Sequence, residues 1–218
     1  MADEWKLKRL LTVHTLKDQT EVKQLYDESA CYYDEVALSI DYVGSAFTAE
    51  VVAKMEPNQD ARILDVGCGT GLVGDGLHKA GYRNLYGVDL SAGLLDVLRK
   101  KGTYCDLTEA SFGPLNSLNF TDGYFDVAMS SGSFLPTHLN EKCLPEMIRL
   151  VKSGGFIIIT TRKYIFDGET GDMKLKPGLA KLVEDGLIEK VRHEESLYLK
   201  DPARDNYVVG ITLVYKVL

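Results

Sequence analysis

Residues Arg62 to Leu72 read RILDVGCGTGL, and this stretch constrains the rest of the chain. The apolar run Ile63, Leu64 and Val66 is too short for a helix and stops at a glycine, which predicts a buried parallel strand. Gly67, Gly69 and Gly71 follow at alternate positions. Glycine tolerates positive φ and lets a ligand approach the backbone, so the strand can turn sharply beneath a nucleotide-like molecule. Leu72 begins a helix whose first N–H groups are free to face that molecule. Asp65, two residues before the first glycine, would repel a pyrophosphate and suits a ligand carrying an ammonium or sulfonium. Gly69, Gly71 and Gly74 also fit the dinucleotide pattern GxGxxG, whose first glycine closes the strand; here Gly67 already does so.

The rest of the chain reads as strands alternating with helices. A helix from Leu72 to about Ala80 ends at Gly81, and Leu85 to Val88 form a second strand that ends in Asp89. An acid about twenty residues beyond the glycine loop is placed to accept hydrogen bonds from two ribose hydroxyls, a feature shared by several ribose-containing cofactors. Ser91 caps a helix that runs to Lys101 and stops at Gly102. Leu107 to Ala110 reads as the third strand, with Asp106 as a solvated turn residue before it and Ser111 and Phe112 at its carboxyl end. Asp126 to Ser130 is the fourth strand, followed by Ser131 to Phe134, a helix over Asn140 to Val151, a KSGG turn and a fifth strand ending in Thr160, Thr161 and Arg162. A helix over Leu175 to Asp185 precedes two long strands joined by DPARDN, which is an antiparallel hairpin. Before the first strand, Thr20 is read as the N-cap of a helix carrying Tyr26 and Tyr33, and a second helix ends before Pro57.

Composition narrows the function. With 218 residues the chain suits one domain, and 45% hydrophobic with 26% charged residues is that of an ordinary soluble globule. Twenty-five Lys and Arg against 32 Asp and Glu give a net charge of -7, so no nucleic-acid partner is expected. Cys31, Cys68, Cys105 and Cys143 form no CxxC pair, so no metal site is expected and free thiols in a reducing compartment are the simplest reading. The opening MADEWKLKRLL is charged where a signal peptide is apolar, and no 18-residue apolar run occurs. A cytoplasmic protein without a membrane partner is expected, the nucleus also being open to it.

LDVGCGTG, with YGVDLS, YFDVAMSSGS and GGFIIITTR, resembles the signatures of class I S-adenosylmethionine-dependent methyltransferases. The resemblance runs from about residue 20 to the end. It implies a Rossmann-like α/β fold, with a seven-stranded mostly parallel sheet, a C-terminal antiparallel hairpin and helices on both faces. It also implies S-adenosyl-L-methionine as cofactor and a helical lid over residues 1–45 ahead of the domain at 46–218. Tyr26-Asp27 and Tyr33-Asp34 resemble the opening of small-molecule members, where this segment covers the cofactor. The implied cofactor set is Tyr33, Asp65, Gly67, Cys68, Gly69, Thr70, Gly71, Leu72, Asp89, Leu90, Ser91, Ser111, Phe112, Ser130 and Ser131. Ser111 stands where many relatives have aspartate, which weakens a side-chain contact to the adenine amino group. Phe134 and Arg162 face the acceptor. His138 is the candidate base; it also reads as a solvated loop residue, and His14, His78 and His193 have weaker claims. The acceptor is a small molecule or a protein side chain, because the Asn/Asp-Pro-Pro-aromatic turn of base-amine methylating relatives is absent from SSGSF. A cofactor-binding module without turnover and a nicotinamide oxidoreductase stand as the other readings.

Overall fold

The computed structural model describes residues 3–168 and 173–218. Helix α1 spans Glu4–Leu11, α2 Gln19–Ser29, α3 Tyr33–Ser39 and α4 Gly44–Met55, followed by strand β1 at Ile63–Val66. Then come α5 Leu72–Lys79, β2 Leu85–Asp89, α6 Ala92–Lys101, β3 Asp106–Glu109 and β4 Phe125–Ser131. The chain closes with α7 Leu144–Leu150, β5 Val151–Arg162, α8 Lys163–Phe166, α9 Leu175–Glu184, β6 Ile188–Lys200 and β7 Tyr207–Val217.

One seven-stranded sheet has the order β3-β2-β1-β4-β5-β7-β6. The first five strands run parallel, with Leu64 level with Tyr86 on one side and Ala128 on the other. β7 enters antiparallel between β5 and β6, pairing Ile158 with Val214. The expected mostly parallel sheet with a terminal hairpin is therefore present. Every residue of β1 is buried, because helices cover both faces of the sheet. Alternate residues of β5 divide between the two cores: Ile157 and Ile159 join Leu64, Phe125 and Met147, while Ile158 joins Val52, Leu77 and Met129. The strand order reverses between β1 and β4, so a crevice opens at their carboxyl ends.

Several local details differ from the sequence reading. Asp18 is the N-cap of α2; its carboxylate accepts from the N–H groups of Thr20 and Glu21, at 2.8 and 3.0 Å. Thr20 instead lies inside the first turn, because a carboxylate two residues earlier already serves the free N–H groups. β3 starts one residue early: Asp106 pairs with Tyr86 and is an exposed residue of an edge strand, where water solvates its charge. The KSGG segment lies within β5, where Val151 pairs with Phe125 and the register shifts before Val127. The helix expected over Asn140 to Val151 divides into a 3-10 turn at Glu141–Cys143 and α7, and Val151 already belongs to β5.

α4 packs beside α5 against the sheet and belongs to the core layer. Its Thr48 hydroxyl bonds Thr160 at 2.8 Å, and Thr160 bonds Thr212 at 2.8 Å. These three fully buried threonines tie α4, β5 and β7 together below the crevice. Among the described residues no single helix is long and apolar enough to cross a membrane.

Candidate functional site

A cavity of about 210 Å³ lies at the carboxyl edge of the parallel strands, beneath α1, α2 and α3. The two tyrosine–aspartate pairs of the sequence hold the cover in place. Asp27 accepts from the Ser91 hydroxyl at 2.6 Å and the Gly93 N–H at 2.9 Å, which fastens α2 to the start of α6. Asp34 accepts from the Thr70 hydroxyl and pairs with Lys101 at 2.8 Å, which fastens α3 to the glycine loop. The partner tyrosines, Tyr26 and Tyr33, both line the cavity. The segment after α3 is joined to the hairpin by backbone bonds, Val43 N–H to Tyr198 and Lys200 N–H to Ile40.

At one end of the cavity the carboxyl tips of β1 and β2 meet. Asp89 accepts from the Gly69 N–H at 2.8 Å and the Ser91 N–H at 2.9 Å, one bond to each oxygen. Asp89 lines the cavity, and a carboxylate has about four acceptor sites, so acceptor capacity remains for a ligand. Burial pushes its carboxyl above the ordinary range, and these backbone donors oppose that shift. Asp65 is almost fully buried, and its pKa is lifted by burial to about 7. Its hydrogen-bond donor is Tyr104, 2.6 Å away. Gly69 has a φ of +54°, and a side chain there would meet nothing closer than 4.0 Å, so the loop presents bare backbone to open space. At the tip of β3, Phe112 forms a buried wall and the Ser111 hydroxyl donates to Gln19 of α2 at 2.9 Å.

The opposite end is built by β4, β5 and the hairpin. Ser131 hydrogen-bonds Tyr42 at 2.9 Å, and Tyr42 packs edge-on against Tyr198 of β6. Arg162 ends β5 with its guanidinium 5.4 Å from the centre of the Tyr198 ring. His138 lies 3.0 Å from the Tyr26 hydroxyl through Nε2 and 2.9 Å from the Pro136 carbonyl through Nδ1. A carbonyl only accepts, so Nδ1 carries the proton and Nε2 accepts from Tyr26. Burial lowers the His138 pKa, keeping the ring neutral near pH 7. This corrects the solvated-loop reading: α2 covers the loop. Thr137, a β-branched residue at φ 65°, carries the backbone strain of the turn that aims His138 inward.

Of the residues read from the sequence, Tyr33, Asp65, Gly67, Cys68, Gly69, Thr70, Leu72, Asp89, Leu90, Ser91, Ser111, Phe112, Ser131, His138 and Arg162 line this cavity. Gly71, Ser130 and Phe134 do not. Gly71 caps α5 and turns toward Leu98, where an added Cβ would come within 2.4 Å of a methyl group. Strand alternation sends Ser130 into the sheet core opposite to Ser131, and Phe134 is fully buried among core residues. Sequence reasoning missed Gln19, Tyr42 and Tyr198, and gave His14, which also faces the cavity, little weight. No spacing links them to the glycine loop; the backbone bonds from Val43 to Tyr198 and from Lys200 to Ile40 bring Tyr42 and Tyr198 together.

The methyltransferase-domain family matches residues 64–159 of the chain. Human methyltransferase-like protein 27 is 31% identical over 158 residues, covering 71% of this chain and 63% of that protein. Demethylmenaquinone methyltransferase of Bacteroides fragilis is 28% identical over 148 residues, covering 66% of this chain and 60% of that enzyme. The chain thus spans about three fifths of the length of these curated relatives. A TehB-like S-adenosylmethionine-dependent methyltransferase from Corynebacterium glutamicum superposes with a TM-score of 0.61 at 20% identity, covering 88% of this chain and 98% of that one. Residues 64–159 are thus a methyltransferase domain within the fold shared by S-adenosylmethionine-dependent methyltransferases, whose cofactor is S-adenosylmethionine. The residues present fit that cofactor: Asp89 offers paired acceptors for a ribose, bare Gly69 backbone leaves room, and buried Asp65 has no cation partner among the described residues.

Proposed function

We propose that the chain transfers a methyl group from S-adenosylmethionine to a small, largely apolar acceptor, with residues up to about 45 acting as a lid over both. The observation that carries this reading is one continuous cavity with the glycine loop and Asp89 at one end and His138 and Arg162 at the other. The cofactor supplies an electrophilic methyl group on a sulfonium, open to in-line displacement. Everything else falls to the chain. Asp89 and the Gly69 backbone would hold the cofactor's ribose, and an ionised Asp65 would supply a negative charge for its cationic group. Leu7, Leu10 and Val22 of the lid exclude water and give the acceptor an apolar surface. Positioning of this kind is worth about 7 to 11 kcal/mol without a covalent intermediate.

The neutral His138 is suited to take up a proton from a hydroxyl or ammonium nucleophile through the Tyr26 hydroxyl. A name such as demethylmenaquinone methyltransferase, carried by a relative, supports a small apolar acceptor. The enclosed lid supports it too, since a protein side chain would have to thread beneath α1 and α2. The test is S-adenosylhomocysteine release, measured by mass spectrometry with panels of small phenols, amines and acids and with protein arrays. Turnover confined to the small-molecule panel is expected. Labelling of proteins alone, or cofactor binding without product from any panel, would refute the reading.

A further inference from the structure

The two ends of the cavity carry opposite charge. Asp65 and Asp89 lie at the tips of β1 and β2; Arg162 lies at the tip of β5. Lys23 also lines the cavity but is paired with Asp27 and Glu109, at 3.1 and 3.2 Å. Arg162 has no acid partner among the described residues, and its Nη1 is buried without a hydrogen-bond partner. The Tyr198 ring face compensates the charge in part, but an aromatic face leaves the N–H fork unfilled. A buried guanidinium without a partner is costly, and its planar fork matches a carboxylate with two parallel hydrogen bonds. From the structure we infer that Arg162 is the anchor for an acidic group on the methyl acceptor, so that the substrate class is a small aryl or alkyl carboxylic acid. This rests on the methyltransferase reading above and specifies its substrate.

The strand order separates this role from cofactor binding. β5 lies two strands from β1, and neighbouring strands are about 4.8 Å apart, so Arg162 is offset by about 10 Å from the glycine loop along the sheet. β4 lies between them, with Ser131 and Gly132 at its tip. An acceptor lying over β4 therefore reaches the cofactor with one end and Arg162 with the other. Tyr42 and Tyr198 pack against that path, which favours an aromatic or unsaturated body between the two ends.

The test uses the whole chain saturated with S-adenosylhomocysteine and two probes, 3-(4-hydroxyphenyl)propionate and its neutral amide. Saturation-transfer NMR and thermal shift are expected to show binding of the carboxylate and at least tenfold weaker binding of the amide. Arg162→Gln is expected to lose that preference, by roughly 10- to 100-fold as for loss of a charged hydrogen bond, with unchanged affinity for S-adenosylhomocysteine. Arg162→Lys, which keeps the charge without the fork, is expected to retain part of the preference. Equal binding of acid and amide by the wild-type protein would overturn the inference without any variant. So would an Arg162→Gln protein that folds but loses S-adenosylhomocysteine affinity, since Arg162 would then hold the cofactor's own carboxylate. Failure of the wild-type protein to bind S-adenosylhomocysteine is a different result, and it overturns the methyltransferase reading itself.

Discussion

Replacing Asp65 by asparagine removes a buried charge from the cavity floor while keeping its shape and an acceptor for the Tyr104 hydroxyl. Burial raises the Asp65 carboxyl from 3.8 to about 7, and the Tyr104 hydrogen bond only partly opposes it. A rise of about three pH units at about 1.36 kcal/mol each amounts to about 4 kcal/mol. Since the folded carboxyl holds its proton more tightly than the unfolded one, this contribution favours the fold below pH 3.8 and is lost as the pH rises toward 7. At pH 8 the ionised wild-type residue therefore destabilises the ligand-free protein. Asparagine avoids that cost but leaves a buried NH₂ group short of partners, at about 1 to 3 kcal/mol. The net expectation is a gain of about 1 to 3 kcal/mol at pH 8, or about 2 to 4 °C in Tm per kcal/mol for a chain of this size. Lowering the pH from 8 to 5 returns about 3 kcal/mol to the wild type, so the gain disappears near pH 5.

Ligand binding is expected to move the other way. A cationic cofactor needs the carboxylate ionised, so wild-type affinity falls by up to tenfold for each pH unit below 7, and Asp65→Asn binds weakly with that dependence removed. Thermal melts from pH 5 to 8 without ligand, paired with calorimetric titration of S-adenosylmethionine over the same range, measure both effects. A variant that melts below the wild type at pH 8 with an unchanged pH slope would refute the account of Asp65. Undiminished affinity in the variant would refute its role toward the cofactor.

The lid supplies further predictions. In Gly93→Ala the added Cβ would come within 2.8 Å of the Asp27 Cα and 2.9 Å of its carbonyl oxygen, so α2 must lift from α6; a loss of about 1 to 3 kcal/mol and faster proteolysis within α2 are expected, by chemical denaturation and limited trypsin digestion. Hydrogen exchange over residues 20–45 is expected to slow when S-adenosylhomocysteine is added, as for a lid that closes on its ligand, and complete protection beforehand would mark these helices as fixed packing. Tyr33→Phe removes one cavity-facing hydroxyl and is expected to weaken cofactor binding modestly while the melting temperature is kept.

Legibility in the sequence followed the range of the interactions involved. The glycine loop, Asp89, the Ser91 cap and the alternation of elements depend on neighbours a few residues apart, and β1, α5, β2, α6, β3 and β4 lie within a residue of those expected, whereas β5 begins four residues early. Ser130 was placed at the cavity because strand four was expected to end there; the strand continues through Ser131, and alternation gives the opening to Ser131 instead. His138 has polar neighbours and a proline beside it, which look like a surface loop until α2 folds over them. Tyr42 and Tyr198 are 156 residues apart and meet through a strand-edge contact that no local pattern announces. The unpaired state of Arg162 is likewise a tertiary fact, since its sequence neighbour Lys163 has Asp167 and Arg162 has no acid in reach among the described residues.

The central claim is that this cavity binds S-adenosylmethionine through Asp89. Isothermal titration of the wild-type protein and Asp89→Ala with S-adenosylhomocysteine, and of the wild type with NADH, addresses it directly. The account predicts one site per chain for S-adenosylhomocysteine, no heat with NADH, and a loss in Asp89→Ala of about 1.5 to 3 kcal/mol as charged acceptors to the ribose disappear. Saturable NADH binding with no response to S-adenosylhomocysteine, or equal affinity in the two proteins, would contradict it.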